Sequence, residues 1–475
     1  MFRLRVGVLL LNVLLAGCGR VTQQENPQAV AQGGETSASA PPDAGTADPG
    51  SLCAPAGPGS LRWAKPIQAE TSSAPQGVAT CGSDLCVLLS DDQLIKLTKK
   101  GELLWSRRIE GLSGSQDFHA TSIGANSFGS IAVAGWCSGQ LVVTTQDGAR
   151  TALDCPSGQN PLIVLHFDHL GVLLSSDSLG TPPNFPPIAR VAIDVHGRSI
   201  AAALIGGGQG EDMRTEVVAR SADGVELFRH SFVGLAHPAD IAIDAEGNTV
   251  LSAFLSDVTS VDDGNFDAGT PLDTSGSDLC ALKLDSRGKL LWSHCAGGNN
   301  QSDLVPQLAL GPDGSIFLAG SFSRDLDFAS ITPQSSTRMS AGPDNIDMYV
   351  AKLSSEGDFA WQRHFGSPDD QDARFGLTAT PEGGLLFAAK TRDSLEIGDF
   401  HVDANSPSSP FIAELDANGR PAFVTQLGRS AEIEGAHGLV LGECGDFYLV
   451  TDYLGMLSIP VTSNGIGPLL IAGRY

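Results

Sequence analysis

A glycine recurs along this chain with an aromatic residue four places behind it, and that spacing constrains the fold more than any other feature. The glycines are Gly59, Gly101, Gly171, Gly224, Gly288, Gly357 and Gly419. The residues four further on are Trp63, Trp105, Ser175, Phe228, Trp292, Trp361 and Phe423. Six of these seven are aromatic, and four of the chain's five tryptophans stand at this one position. An aromatic fixed in a repeat reads as core packing rather than as a ligand platform. The clearest copies run from Leu282 to Trp292 and from Ala351 to Trp361. Each reads as a strand, a glycine turn and a second strand.

A second glycine turn follows each copy, at Gly82, Gly129, Gly197, Gly247, Gly314, Gly383 and Gly445. It separates two more short apolar runs, as from Ile241 to Leu251 and from Leu308 to Leu318. Each unit therefore holds four strands, and the units recur at periods of 42 to 70 residues. The repeat opens at Gly59 on the second half of a hairpin and closes, from Leu469 to Arg474, on a missing first half. One unit is then completed by both ends, sealing a ring without free edges. The expectation is an all-β, seven-bladed β-propeller of four-stranded blades over residues 59–475, with no second domain.

The repeats resemble the SBBP-type β-propeller repeat of bacterial secreted proteins and lipoproteins. The likeness is carried by Phe365 to Asp370, Ile243 to Asn248 and Leu318 to Phe322. A weaker likeness is to PQQ-type repeats, whose turn also sets a tryptophan four residues after Gly-Lys, as Gly288-Lys289 does. Both imply a fold more than an activity.

The first residues carry an address. Arg3 and Arg5 precede an apolar run from Val6 to Leu15, too short to span a bilayer. The run ends in Leu15-Ala16-Gly17-Cys18, which resembles the lipobox of bacterial lipoproteins. That resemblance implies cleavage before Cys18, lipid attachment to its thiol and, with Gly19 following, sorting to the outer membrane. The alternative is an ordinary signal peptide with an incidental Cys18. Residues 19–58 are Gln, Ala, Ser, Thr, Gly, Pro and acids, with almost nothing apolar to bury. They read as a disordered stalk between membrane and propeller.

The chain has 475 residues, 54 acidic against 29 basic, and a formal charge of −25. Such a balance lacks the basic footprint of a nucleic-acid binder. Its nine cysteines leave eight once Cys18 is lipidated. Cys280 and Cys295 face across one hairpin, Cys81 and Cys86 flank the turn at Gly82, and Cys137 and Cys155 bracket a long loop. Cys53 and Cys444 remain as a fourth pair. Bridges suit an oxidising compartment, although eight cysteines permit 105 pairings.

Three constellations are candidates for chemistry. Asp262, Asp263, Asn265 and Asp267 offer hard oxygen ligands for calcium, but without the EF-hand register. An ordinary polar loop is the competing reading. His119, His237 and His437 each sit near the start of an innermost strand, where they could meet at the channel mouth as metal ligands or as acid and base. Isolated loop histidines are the alternative. Asp117, Asp303 and Asp372 recur eleven or twelve residues before a second-series glycine, which favours a structural role accepting backbone N–H groups. The Gly206-Gly-Gly208 stretch opens no helix and reads as a turn.

No cofactor is implied beyond calcium. The long connections at 256–277, 323–345 and 391–409 should crown one face, as a binding surface or as solvated filler. Three functions of different class fit. The first is a lipid-anchored, non-catalytic module binding a protein or glycan in the cell envelope. The second is a metal-dependent lyase or hydrolase at the channel mouth, and the third an outer-membrane assembly scaffold.

Overall fold

Each repeat makes strands because its apolar runs are short and are separated by residues that tolerate tight or left-handed turns. The computed structural model describes residues 57–67, 73–112, 117–155, 160–182, 188–206, 214–261, 278–297, 306–328, 338–366, 376–404, 409–430, 436–453, 455–457 and 467–475. Outside them lie Cys18, Cys53, Asp262, Asp263, Asn265, Asp267, Asp303 and Asp372, with the expected leader and nearly all of the expected stalk.

The strands build seven blades. Blade one comprises Pro75–Cys81, Asp84–Leu89, Gln93–Leu97 and Leu103–Gly111, and blade two Phe118–Ala125, Ile131–Cys137, Leu162–Phe167 and Leu173–Gly180. Blade three holds Ala189–Ile193, Ser199–Ile205, Arg214–Arg220 and the first part of Glu226–Ile243. The second part of that strand opens blade four, followed by Thr249–Val261, Asp278–Leu284 and Leu290–Ala296. Blade five is Gln307–Leu310, Ile316–Asp327, Arg338–Leu353 and Phe359–Phe365; blade six is Gly376–Ala379, Leu385–Thr391, Ser409–Leu415 and Pro421–Gln426. Blade seven takes Ala436–Leu441, Asp446–Tyr453 and Gly467–Arg474, and borrows Leu61–Pro66 from the start of the domain. Trp63 there stands opposite Ala472, and Pro66 opposite Leu469. The innermost strands of successive blades touch in a closed circuit, blade seven returning to blade one. The protein is a seven-bladed β-propeller.

Its core is not central. Seven hydrophobic clusters fill the seven seams, each drawing on two neighbouring blades. A middle strand therefore has a blade against each face and is buried on both, as Ser199–Ile205 and Leu385–Thr391 are throughout. That is why these strands read as continuous apolar runs, whereas the outer Leu290–Ala296 mixes exposed and covered residues.

Besides two small two-stranded sheets, Leu395–Ile397 with Phe400–Val402 and Gly428–Ser430 with Gly455–Leu457, two blade sheets depart from the four-stranded pattern. The segment between Cys137 and Cys155 is not a plain loop. It forms a hairpin, Gln140–Thr145 with Arg150–Asp154, that extends the sheet of blade one, Val143 lying opposite Ile109. Leu141 and Val143 join the cluster between blades one and two, so the hairpin covers an edge that would otherwise stand open. Blades three and four, moreover, share one continuous strand and hence one sheet.

Disulfides join Cys81 to Cys86, Cys137 to Cys155 and Cys280 to Cys295. Cys280 and Cys295 stand directly opposite in the strand register. Cys444 is also disulfide-bonded.

Candidate functional site

The start of each innermost strand faces the axis, so the ring gathers one stretch from every blade around a cavity of about 260 Å3. Its lining includes Gln76, Thr121, Arg190, Asp240, Gln307, Leu377 and His437, one residue from each of the seven blades. The charges among them are committed to the backbone. Arg190 Nε donates to Ala239 O at 2.5 Å, and Nη1 donates to Thr121 O at 3.3 Å and Ala189 O at 3.1 Å. One guanidinium thus ties the inner strands of blades two, three and four. Asp240 Oδ2 accepts from Leu308 N at 3.0 Å, and Oδ1 from Ile241 N at 2.9 Å, linking blades four and five. Burial pulls the Arg190 pKa down and pushes the Asp240 carboxyl up, each charge opposing the shift of the other. Asp92 repeats the device, its Oδ1 accepting from Ala120 N at 2.7 Å between blades one and two.

Of the three candidate histidines, only His437 lines the cavity. Its Nε2 lies 3.0 Å from Asp452 Oδ2. His119 stacks on Trp136 with ring centroids 4.0 Å apart, and burial lowers its pKa against the opposing charge of Asp117. His237 is opposite Phe254 in the strand ladder. The structure does not gather the three at one point, and among the described residues no three His, Cys, Asp or Glu side chains are arranged to hold a metal ion. Asp117 braces a connection: its carbonyl accepts from Ser138 N at 2.7 Å and its Oδ1 from Ser138 Oγ at 3.4 Å.

The long connections stand on the face opposite the glycine turns, and their described parts in blades five and six carry buried side chains. In blade five the paired strands continue to Asp327 and Arg338, and Leu326, Phe328 and Met339 are buried against the cluster of blades four and five. In blade six a second hairpin, Leu395–Ile397 with Phe400–Val402, sinks Leu395, Ile397 and Val402 into the cluster of blades five and six. In blade four Thr249–Val261 runs on to pair with the end of the outer strand of blade three, Ser260 opposite Val233. Blade one connects its middle strands with only a short turn at Ser90–Gln93. Among the described residues, paired strands thus extend beyond blades four, five and six as a crest, and the blade-seven connection adds Gly455–Leu457 paired with Gly428–Ser430.

No protein-family model matches the chain. It is 27% identical over 224 residues to the regulatory protein FlaEY of Caulobacter vibrioides, an alignment that spans 46% of this chain and 22% of that protein. Among solved structures it is similar to BamB from Moraxella catarrhalis, at 11% identity over 88% of this chain and 99% of that one, with a TM-score of 0.39. YCF48 bound to D1 peptide matches at 10% identity over 87% and 97%, with a TM-score of 0.38. The arabinofuranosidase Arb93A of Fusarium graminearum matches at 11% over 76% and 93%, with a TM-score of 0.42. The architecture is read from the sheets themselves.

The acidic excess has a structural use at the glycine turns. Asp168, Asp194, Asp285 and Asp416 each stand three residues before a turn glycine, and Oδ1 accepts the N–H groups two and four residues on, all at 2.8–2.9 Å. Ser354, Thr98 and Asn126 do the same elsewhere. Such side chains cap the turn without any ligand.

Lysines with a seam role escape a strand-and-turn reading. Lys96, Lys283 and Lys352 each lie five residues before an outer-hairpin glycine and are buried. Each ammonium donates to a turn carbonyl of the next blade: His169 O, Ser355 O and Gly383 O. Their common offset from the glycine is the available signal. Lys283 Nζ is also 2.9 Å from Asp244 Oδ2. Burial pushes the Asp244 carboxyl up, but Lys283 and Asn248 outweigh it and hold it below the usual range. A folded pKa below the unfolded ~3.9 adds stability above that value, lost as pH falls through the folded pKa. Asp244→Asn should therefore destabilise clearly near pH 7 and much less near about pH 3 in urea titrations. An equal loss at both pH values would remove the ion pair as the cause.

Proposed function

We propose that the protein is a lipid-anchored module of the cell envelope that binds a protein or glycan through the crest face, without catalysing a reaction. The carrying observation is the crest itself. Paired strands extend beyond blades four, five and six, and in blades five and six buried apolar side chains hold them. Elements anchored in this way present a fixed surface at low entropic cost. The commitment of Arg190 and Asp240 to backbone groups supports the same reading, since those charges already serve the ring. The lipobox-like Leu15-Ala16-Gly17-Cys18 and the polar stretch after it supply the anchor and the tether. Calcium at Asp262, Asp263, Asn265 and Asp267 remains part of this reading from the sequence alone, those residues lying outside the described ones.

The test separates anchor from binding face. Cys18→Ala should move the protein from the membrane to the soluble fraction and abolish labelling by fatty acid. Cross-linking in intact envelopes should recover partners that vanish when the blade-five hairpin is shortened between Asp325 and Ser340. Unchanged partners after that deletion, in a protein that still folds, would overturn the binding face. Unchanged fractionation of the Cys18 variant would overturn the anchor.

A further inference from the structure

The aromatic of the repeat closes a seam. The ring four residues after an outer-hairpin glycine lies on the matching glycine of the next blade. A Cβ added to Gly171 would stand 3.0 Å from Trp105, on Gly288 2.6 Å from Phe228, on Gly357 2.8 Å from Trp292 and on Gly419 2.9 Å from Trp361. Gly101 and Gly59 meet Trp63 and Phe423 in the same way, at 3.3 and 2.7 Å. Three of the indoles also donate Nε1–H to the carbonyl two residues before that glycine: His169 O, Ser355 O and Ala417 O, at 3.3, 3.2 and 2.9 Å.

The seventh seam, between blades two and three, lacks its ring. Ser175 stands there, exposed, and a Cβ on Gly224 would meet nothing within 4 Å. The floor is nevertheless built. Arg220 Nη1 donates to Gly224 O at 3.2 Å, and Arg220 Nε is 3.5 Å from Asp177 Oδ1. Apolar residues stand exposed in the same two outer hairpins: Val172 and Leu174 on blade two are 48% and 65% exposed, Val225 and Leu227 on blade three 60% and 49%, as Leu104 and Leu291 are at occupied seams, 47% and 50%.

We propose that this slot receives a tryptophan or phenylalanine side chain from an extended segment of a partner protein. The six occupied seams define what fits: a flat ring on a glycine turn, with Ala222 two residues before Gly224, the offset whose carbonyl accepts an indole N–H at three other turns. The exposed valines and leucines would be covered by the residues flanking that ring, and such buried aromatic anchors dominate binding energy. The N-terminal stretch of this chain is not the occupant, because it holds no Phe, Trp or Tyr between Phe2 and Trp63. A second copy would have to offer an exposed ring such as Phe128, 75% exposed on the blade-two turn, and would betray itself by self-association. The site lies on the rim and does not depend on the crest.

A random-peptide library displayed on phage, panned against the full-length protein, tests this. Selected peptides should share a Trp or Phe and bind Ser175→Trp about tenfold more weakly or worse, because the introduced ring fills the slot. The thermal midpoint of that variant should be unchanged or raised, and Ser175→Phe gives the same comparison if the indole does not fit. Peptides without aromatics, or equal binding to wild type and a folded filled variant, would overturn the proposal. So would dimerisation of the wild type that filling the slot abolishes.

Discussion

Asp240→Ala is expected to destabilise the propeller by about 1–3 kcal/mol in urea unfolding at neutral pH, the range for leaving hydrogen-bond partners unsatisfied. Two losses combine. Leu308 N and Ile241 N lose their carboxylate acceptor, at the point where blade four meets blade five. Arg190 also keeps a partly desolvated positive charge without the negative charge that opposes the effect of that desolvation. The ionised carboxylate is not itself a bargain. Burial pushes its pKa up, so the native state binds a proton more readily than the unfolded chain between the two pKa values. Stability from this group therefore declines as pH rises through that window and stays lower above it. Two opposite charges that influence each other in this way have a recognisable signature. Arg190→Met should also destabilise strongly, and the double variant should lose less than the two single losses together, by about 1–3 kcal/mol. Strict additivity would mean that Arg190 and Asp240 act only through their separate backbone bonds.

The blade count is legible in the chain because the turns demand glycine. Gly288 and Gly357 have φ of +84° and +88°, a region that costs a residue with a Cβ, so the letter must recur wherever the turn recurs. The closure of the ring is legible for a related reason: half a hairpin at one end implies the other half elsewhere. The hairpin at Gln140–Asp154 is not legible, because its partner is the outer strand of blade one rather than of its own blade, and no local pattern encodes that pairing. Asp92 and Asp240 are hidden too. Each acts on the neighbouring blade through a single carboxylate, and neither recurs at a fixed offset from a glycine. Lys283 and Lys352 do recur, but a lysine inside an apolar strand reads as a surface residue until the next blade is placed beside it. The three histidines illustrate the opposite limit. A shared place in the repeat puts them on corresponding strands, yet strand position alone does not set where a side chain meets its neighbours.

Gly419→Ala and Gly224→Ala provide the sharper test of the seam, because the two glycines share a backbone state and differ in what lies over them. Their φ angles are +74° and +81°, so alanine at either pays the left-handed penalty of roughly 1–2 kcal/mol. At Gly224 nothing else is met. At Gly419 the new methyl would stand 2.9 Å from the Trp361 ring, which also donates to Ala417 O and lies beneath the Arg363 guanidinium. The ring must move, and the seam of blades five and six opens with it. Gly419→Ala should therefore cost about 1–3 kcal/mol more than Gly224→Ala, the range for overpacking a well-filled site. Trp361→Ala alone should cost about 3 kcal/mol, at the lower end for a large aromatic because the ring is only partly buried. In the Trp361→Ala background the excess at Gly419 should vanish, leaving only the backbone penalty. If Gly419→Ala were as mild as Gly224→Ala in the wild type, the ring would not be what holds the blades together. The vacant seat at Ser175 would then be an ordinary gap in the rim.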